Sequence, residues 1–171
     1  MSTQGAEARI VELGITIPTL TEIYPSNPSG TRFATHHVAG ETLYLSGVSA
    51  YREGVPYMTG VLGEDLSIEQ GYEAARQAAI CYLGLIRQVL GSLERVEQLL
   101  GLVGYVNCVP SFTEQPRVIN GATDLFVEVF GDRGLSTRAA VGSQGLASNH
   151  SVELMLTLRF DGGEVAQPDL R

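Results

Sequence analysis

The sequence predicts a single α+β domain, with two long helices covering one face of a mixed sheet. Two segments, 67–91 and 117–131, place apolar residues at helical spacing. Five others read as strands: 33–40, 41–47, 97–109 and the two apolar runs that begin near Thr137 and Val152. Their order, β-β-α-β-α-β-β, builds one sheet layer and one helix layer. The 171 residues suffice for one sizeable core and fall short of two, so the whole chain, 1–171, is read as one domain.

The elements follow from local chemistry. "AEARIVEL", residues 6–13, makes a short helix stopped by Gly14. Residues 15–32 carry Pro18, Pro25 and Pro28 and read as an extended lead-in, so that 1–32 form an N-terminal extension. "FATHHVAG" and "ETLYLSG" form a hairpin turning near Gly40 and Glu41, with Leu43 and Leu45 on one face and Tyr44 and Ser46 on the other. Ser67 and Gln70 make a capping box for the first long helix. Ala75, Ala79, Leu83, Ile86 and Leu90 form its buried stripe, and Gly91 ends it. After the strand 97–109 comes a loop from Pro110 to Pro116. A second helix then buries Val118, Ala122, Phe126 and Val129 and stops at Gly131. In the last strand Val152, Leu154, Leu156, Leu158 and Phe160 alternate with Glu153, Met155, Thr157 and Arg159. The sheet face carrying Tyr44, Met155 and Thr157 has no helix to cover it, so it is expected to meet other subunits.

Charge and composition narrow the function. The net charge is −8, and all eleven basic residues are scattered arginines, which leaves no track for a phosphate backbone. No apolar run approaches the roughly 18 residues of a membrane span, and the N-terminus has no signal-peptide pattern. Cys81 and Cys108 are too few for a disulfide scaffold and read as buried thiols in a reducing cytoplasm. There is no phosphate-binding glycine loop, no nucleophile elbow and no CxxC pair. His36 and His37 point to opposite faces of a strand and cannot easily chelate one ion, so no metal site is expected. His150, in the loop "LASNHS", is a candidate by position alone.

Two charges stand out, because each interrupts a strongly apolar strand. Arg138 enters a strand of small side chains, Ala139 and Ala140, which leave room for a ligand against its planar fork of donors. Glu153 faces away from Val152 and Leu154, toward the uncovered side, where it could hold a water or pass a proton. A plain salt bridge, or two exposed strand ends, would also explain the pair.

"RVINGATDLFVEVFGDRGLSTRAAVG" followed by "SVEL", together with "TLYLSG", "GEDLSIEQGYEAARQAAICYLGLI" and "LERVEQLLGLVGYV", resembles the Rid family, also called YjgF-type and sometimes named L-PSP endoribonuclease. "ELGITIP" is similar to a longer-form branch, and the likeness runs from about residue 10 to 160. The resemblance implies a chorismate-mutase-like α+β fold and a homotrimer with clefts between subunits. It also implies cofactor-free hydrolysis of reactive enamines and imines, such as 2-aminoacrylate, to a 2-keto acid and ammonia. Arg138 matches the arginine that binds the substrate carboxylate, and Glu153 the water-binding glutamate. Asn120 matches a cleft asparagine, Phe33 stands where a tyrosine near the pocket is common, and Ser46, a substrate-binding candidate, matches with Gly47 the "SG" that closes the second strand. Ala140 replaces a frequent cysteine and could still serve through its backbone. Ala147 stands at a usual proline, and Asn149 and His150 add polar groups to a normally bland loop. These departures bear on substrate rather than fold.

The expected function is therefore a cytoplasmic deaminase of small carboxylate substrates, with no membrane or nucleic-acid partner. Arg138 would fix the carboxylate, and Glu153 would protonate C3 and then hold the attacking water. Two other readings compete. One is a deaminase of a larger, 2-aminomuconate-like enamine. The other is a trimer that binds small carboxylates without turnover, for which Glu153 would be superfluous. Ribonuclease activity is the least supported.

Overall fold

The computed structural model describes residues 5–25 and 32–170. The stretch of the lead-in around Pro28, and Arg171, lie outside the described residues. Within them the chain runs α1 (Ala6–Glu12), α2 (Leu20–Ile23), β1 (His36–Ala39), β2 (Thr42–Ser49), β3 (Tyr51–Arg52), β4 (Val55–Pro56), α3 (Ile68–Leu90), β5 (Val96–Asn107), α4 (Gln115–Phe130), β6 (Thr137–Ser143) and β7 (Val152–Phe160). The strands of the main sheet lie in the order β1-β2-β7-β5-β6. Only β5 and β6 run parallel, and the other neighbours are antiparallel, so the sheet is mixed.

The helix boundaries obey the expected cap chemistry. Ser67 Oγ accepts the Gln70 amide N–H while Gln70 Oε1 accepts the Ser67 N–H, satisfying two orphan donors at the start of α3. Gly91 ends α3 at φ +80°, a conformation that a β-carbon would penalise. Each stripe residue expected in α3 and α4 is buried, as are Val152, Leu154, Leu156, Leu158 and Phe160 of β7. α3 and α4 approach so closely that a Cβ on Gly121 would meet the Tyr72 carbonyl oxygen at 2.0 Å. That contact sets how closely α4 packs on α3. No helix among the described residues is long and apolar enough to cross a membrane.

Three details depart from the sequence reading. The lead-in is not wholly extended: it contains the one-turn α2, capped by Thr19 and Glu22 through Thr19 N–H→Glu22 Oε2 (2.8 Å). A small β3–β4 hairpin turns on Glu53 and Gly54, both at positive φ. Pro116 is not a loop residue; it occupies the first turn of α4, where its missing N–H costs nothing. The lead-in is anchored where Pro18 meets Gly84 of α3, the carbonyl oxygen sitting 2.4 Å from a Cβ position there.

Candidate functional site

Arg138 stands on β6, the sheet's edge strand, paired with Leu102 of β5. Directly paired residues share a face, so Arg138 lies on the helix side with buried Leu102. Its Nη1 donates to Asn120 Oδ1 (2.8 Å) and Thr123 Oγ1 (3.0 Å), two α4 residues one turn apart. Nε and Nη2 have no hydrogen-bond partner among the described residues. The guanidinium is thus anchored by neutral oxygens at one end and presents a two-donor edge at the other, the geometry that grips a carboxylate. Ala140 pairs with Gly104 on the same face.

Glu153 stands on β7 and pairs with Tyr105 of β5 and Ser49 of β2. Tyr105 also pairs with Val141, three residues beyond Arg138. By strand alternation Glu153 and Val141 share the uncovered face and Arg138 faces the other way, with β5 between the two strands. One chain therefore does not bring Arg138 and Glu153 together, and an internal salt bridge between them is excluded. Burial pushes the Glu153 carboxyl above its ordinary 4.5, and the Ser49 hydroxyl pulls it partly back. Among the described residues no arginine offsets the burial.

The remaining candidates divide between the two faces. Asn120 belongs with Arg138. Ser46 and Gly47 form a bulge in β2 beside Glu153, where a Cβ on Gly47 would fall 2.2 Å from Glu153 Oε1. The Ser46 hydroxyl donates to the Ala34 carbonyl (2.6 Å). Phe33 packs edge-on against Tyr24 (centroids 5.6 Å apart), whose hydroxyl donates to the Gly47 carbonyl (3.2 Å). His150 joins neither group. It is 2% exposed, lies edge-on to Tyr51 at 4.8 Å, and neither ring nitrogen has a hydrogen-bond partner among the described residues. Desolvation lowers its pKa to about 4. Asn149 holds the loop at φ +56°, its carbonyl accepting the Gly60 N–H (2.9 Å) and its side-chain oxygen lying 3.4 Å from Asn107 Nδ2.

His36 is a buried structural residue. Its Nε2 lies 3.0 Å from the Ala166 carbonyl and its Nδ1 lies 3.2 Å from Thr35 Oγ1, while His37 is exposed. Among the described residues no three His, Cys, Asp or Glu side chains gather where they could hold a metal ion. A cleft of about 360 Å³ between the lead-in and α3, and one of about 380 Å³ between the first turns of α3 and α4, include neither Arg138 nor Glu153.

Thr123, Tyr24, Ser49, Tyr82 and Tyr105 were not singled out from the sequence. Thr123 was recoverable from its i+3 spacing to Asn120. The others become visible only through strand register and the docking of the lead-in.

Residues 7–158 match the family described as "YjgF/chorismate mutase-like, putative endoribonuclease", and the chain belongs to it. Protein TCP17 of Trypanosoma cruzi is 35% identical over 148 residues, covering 86% of this chain and 89% of that one. The crystal structure of Atu1372 from Agrobacterium tumefaciens, of unknown function, is 33% identical with a TM-score of 0.80 over 91% of this chain and 94% of that chain. A Shewanella oneidensis structure carrying the same endoribonuclease description is 28% identical with a TM-score of 0.83, covering 92% of this chain and all of that one (100%). Together these establish a Rid-type chain with the chorismate-mutase-like α+β fold.

Proposed function

We propose that the protein is an enamine/imine deaminase. It hydrolyses 2-aminoacrylate-type compounds to 2-keto acids and ammonia in clefts between copies of a homotrimer. The observation that carries this reading is the division of the chemistry: a carboxylate-gripping edge on Arg138 and a carboxyl on Glu153 whose pKa burial raises, on opposite faces of one sheet. A cleft between copies would set Arg138 of one against Glu153 of the next. Arg138 binds the substrate carboxylate. Protonated Glu153 gives its proton to C3, converting enamine to iminium. The resulting carboxylate takes a proton from water as the oxygen bonds to C2. Glu153 then returns that proton to nitrogen, the C2–N bond breaks, and ammonia leaves as the hydroxyl proton passes back to Glu153. Water is consumed and Glu153 ends as it began. A raised pKa suits this cycle, since the first step needs the acid form.

The test is a coupled assay in which a dehydratase generates 2-aminoacrylate and keto-acid release is followed. Glu153→Ala should fall to the uncatalysed rate and Arg138→Ala should lose at least an order of magnitude; variants as fast as wild type would sink the proposal. Glu153 also separates this reading from a non-catalytic carboxylate binder, which has no use for a proton donor on the far face. The larger-enamine reading rested on the Asn149–His150 loop. It loses support in the isolated chain, where His150 is buried and Asn149 is engaged with Gly60 and Asn107.

A further inference from the structure

The β2 bulge beside Glu153 is held in an unusual way. Leu45 pairs with Leu156 and Val48 with Leu154, so Ser46 and Gly47 together oppose Met155. Such a bulge takes backbone groups out of the ladder and re-aims the chain. Both carbonyls are taken up by phenols from different elements. Tyr82 of α3, fully buried, reaches through the core and donates to Ser46 O (2.7 Å), with Leu154 O also within reach (2.8 Å). Tyr24, at the end of α2, donates to Gly47 O (3.2 Å). The Ser46 N–H is meanwhile held by the Thr35 carbonyl (3.0 Å).

We infer that Tyr24 and Tyr82 form a two-phenol clamp on the Ser46–Gly47 bulge and thereby position the Glu153 carboxyl. Glu153 Oε1 packs directly onto Gly47, so movement of that peptide moves the carboxyl with it. The clamp joins the lead-in to the site: Phe33 braces the Tyr24 ring, and α2 is held by its Thr19–Glu22 cap. Both tyrosines are positioning residues, acting through Gly47 rather than on substrate. The inference rests on the deaminase reading only for its kinetic consequence.

The test deletes one oxygen at a time. Tyr24→Phe and Tyr82→Phe are compared with wild type and with Tyr57→Phe, a matched deletion on the β3–β4 hairpin. Two readouts are taken: kcat and KM for the enamine, and the titration of Glu153 followed by carboxyl-carbon NMR and assigned with Glu153→Gln. The clamp predicts that kcat falls about tenfold in both variants. KM should change little, because Arg138 is untouched, and the Glu153 midpoint should move downward as water enters. Tyr57→Phe should do neither. Folded variants with wild-type kcat and an unmoved Glu153 midpoint overturn the clamp. If wild type hydrolyses no enamine yet the midpoint moves in Tyr24→Phe, the clamp stands and the deaminase reading falls. If Tyr82→Phe does not fold, Tyr24→Phe decides alone.

Discussion

Because Arg138 and Glu153 lie on opposite faces of the sheet, the proposed site needs two copies of the chain, and this can be tested by mixing two impaired variants. Arg138→Ala removes the bidentate grip, a charge-assisted contact of roughly 1.5–3 kcal/mol, or about a 10- to 150-fold loss. Glu153→Ala removes the proton donor. In a random oligomer made from equal amounts, a shared site is intact only when one neighbour supplies arginine and the other glutamate. The chance of each is about one half, so activity should return to about a quarter of wild type. The fraction follows x(1−x) with mixing ratio and peaks at equal amounts, whatever the size of a closed ring. The assay is co-refolding of the two variants, native mass spectrometry to show that hybrids form, and coupled keto-acid release. Hybrids no more active than the separate variants would refute a shared site. A site contained in one chain predicts that result, since every chain then lacks one group.

Three further outcomes follow from the same geometry. Asn120→Ala combined with Thr123→Val should leave the Arg138 charge but free its guanidinium, raising KM severalfold with kcat nearly unchanged; steady-state kinetics check this. Because burial raises the Glu153 pKa, the stability it contributes is full below its unfolded value of 4.5 and lost as pH rises through the folded value. Glu153→Gln should therefore be more stable than wild type at pH 8, by denaturant titration, even as it loses activity. His150 works in the opposite sense: its folded pKa of about 4 lies below 6.5, so stability is kept above pH 6.5 and lost as pH falls toward 4, by about 3 kcal/mol in full. Replacing the unpartnered ring with leucine should flatten that acid limb.

Much of the fold was legible because its signals are local. The α3 caps, the stripe from Ala75 to Leu90, and the alternation of β7 are written in residues a few positions apart. The one-turn α2 escaped because prolines near it suggest extension, and four residues carry no period. Arg138 and Glu153 could be nominated from the sequence, since each breaks an apolar run. Their separation could not, because it depends on β5 inserting between β6 and β7 in space. His150 is the converse case: its polar loop gives no local sign of burial, and its ring packs against Tyr51, a residue ninety-nine positions earlier.

The placement of the two charges also bears on why the site would sit between copies at all. β6 is an unpaired edge of seven residues, and the uncovered face exposes Tyr44, Val141 and Met155. An open edge and an apolar face are both liabilities in a lone domain. An arrangement that covers them with another copy removes both; it also excludes water from Glu153, which raises its pKa, and brings the Arg138 guanidinium, which lowers it. Under the proposed mechanism the acid form of Glu153 is the reactive one. Assembly completes the site by bringing Arg138 within reach, so specific activity should fall on dilution below the dissociation constant of the oligomer faster than the folded fraction does.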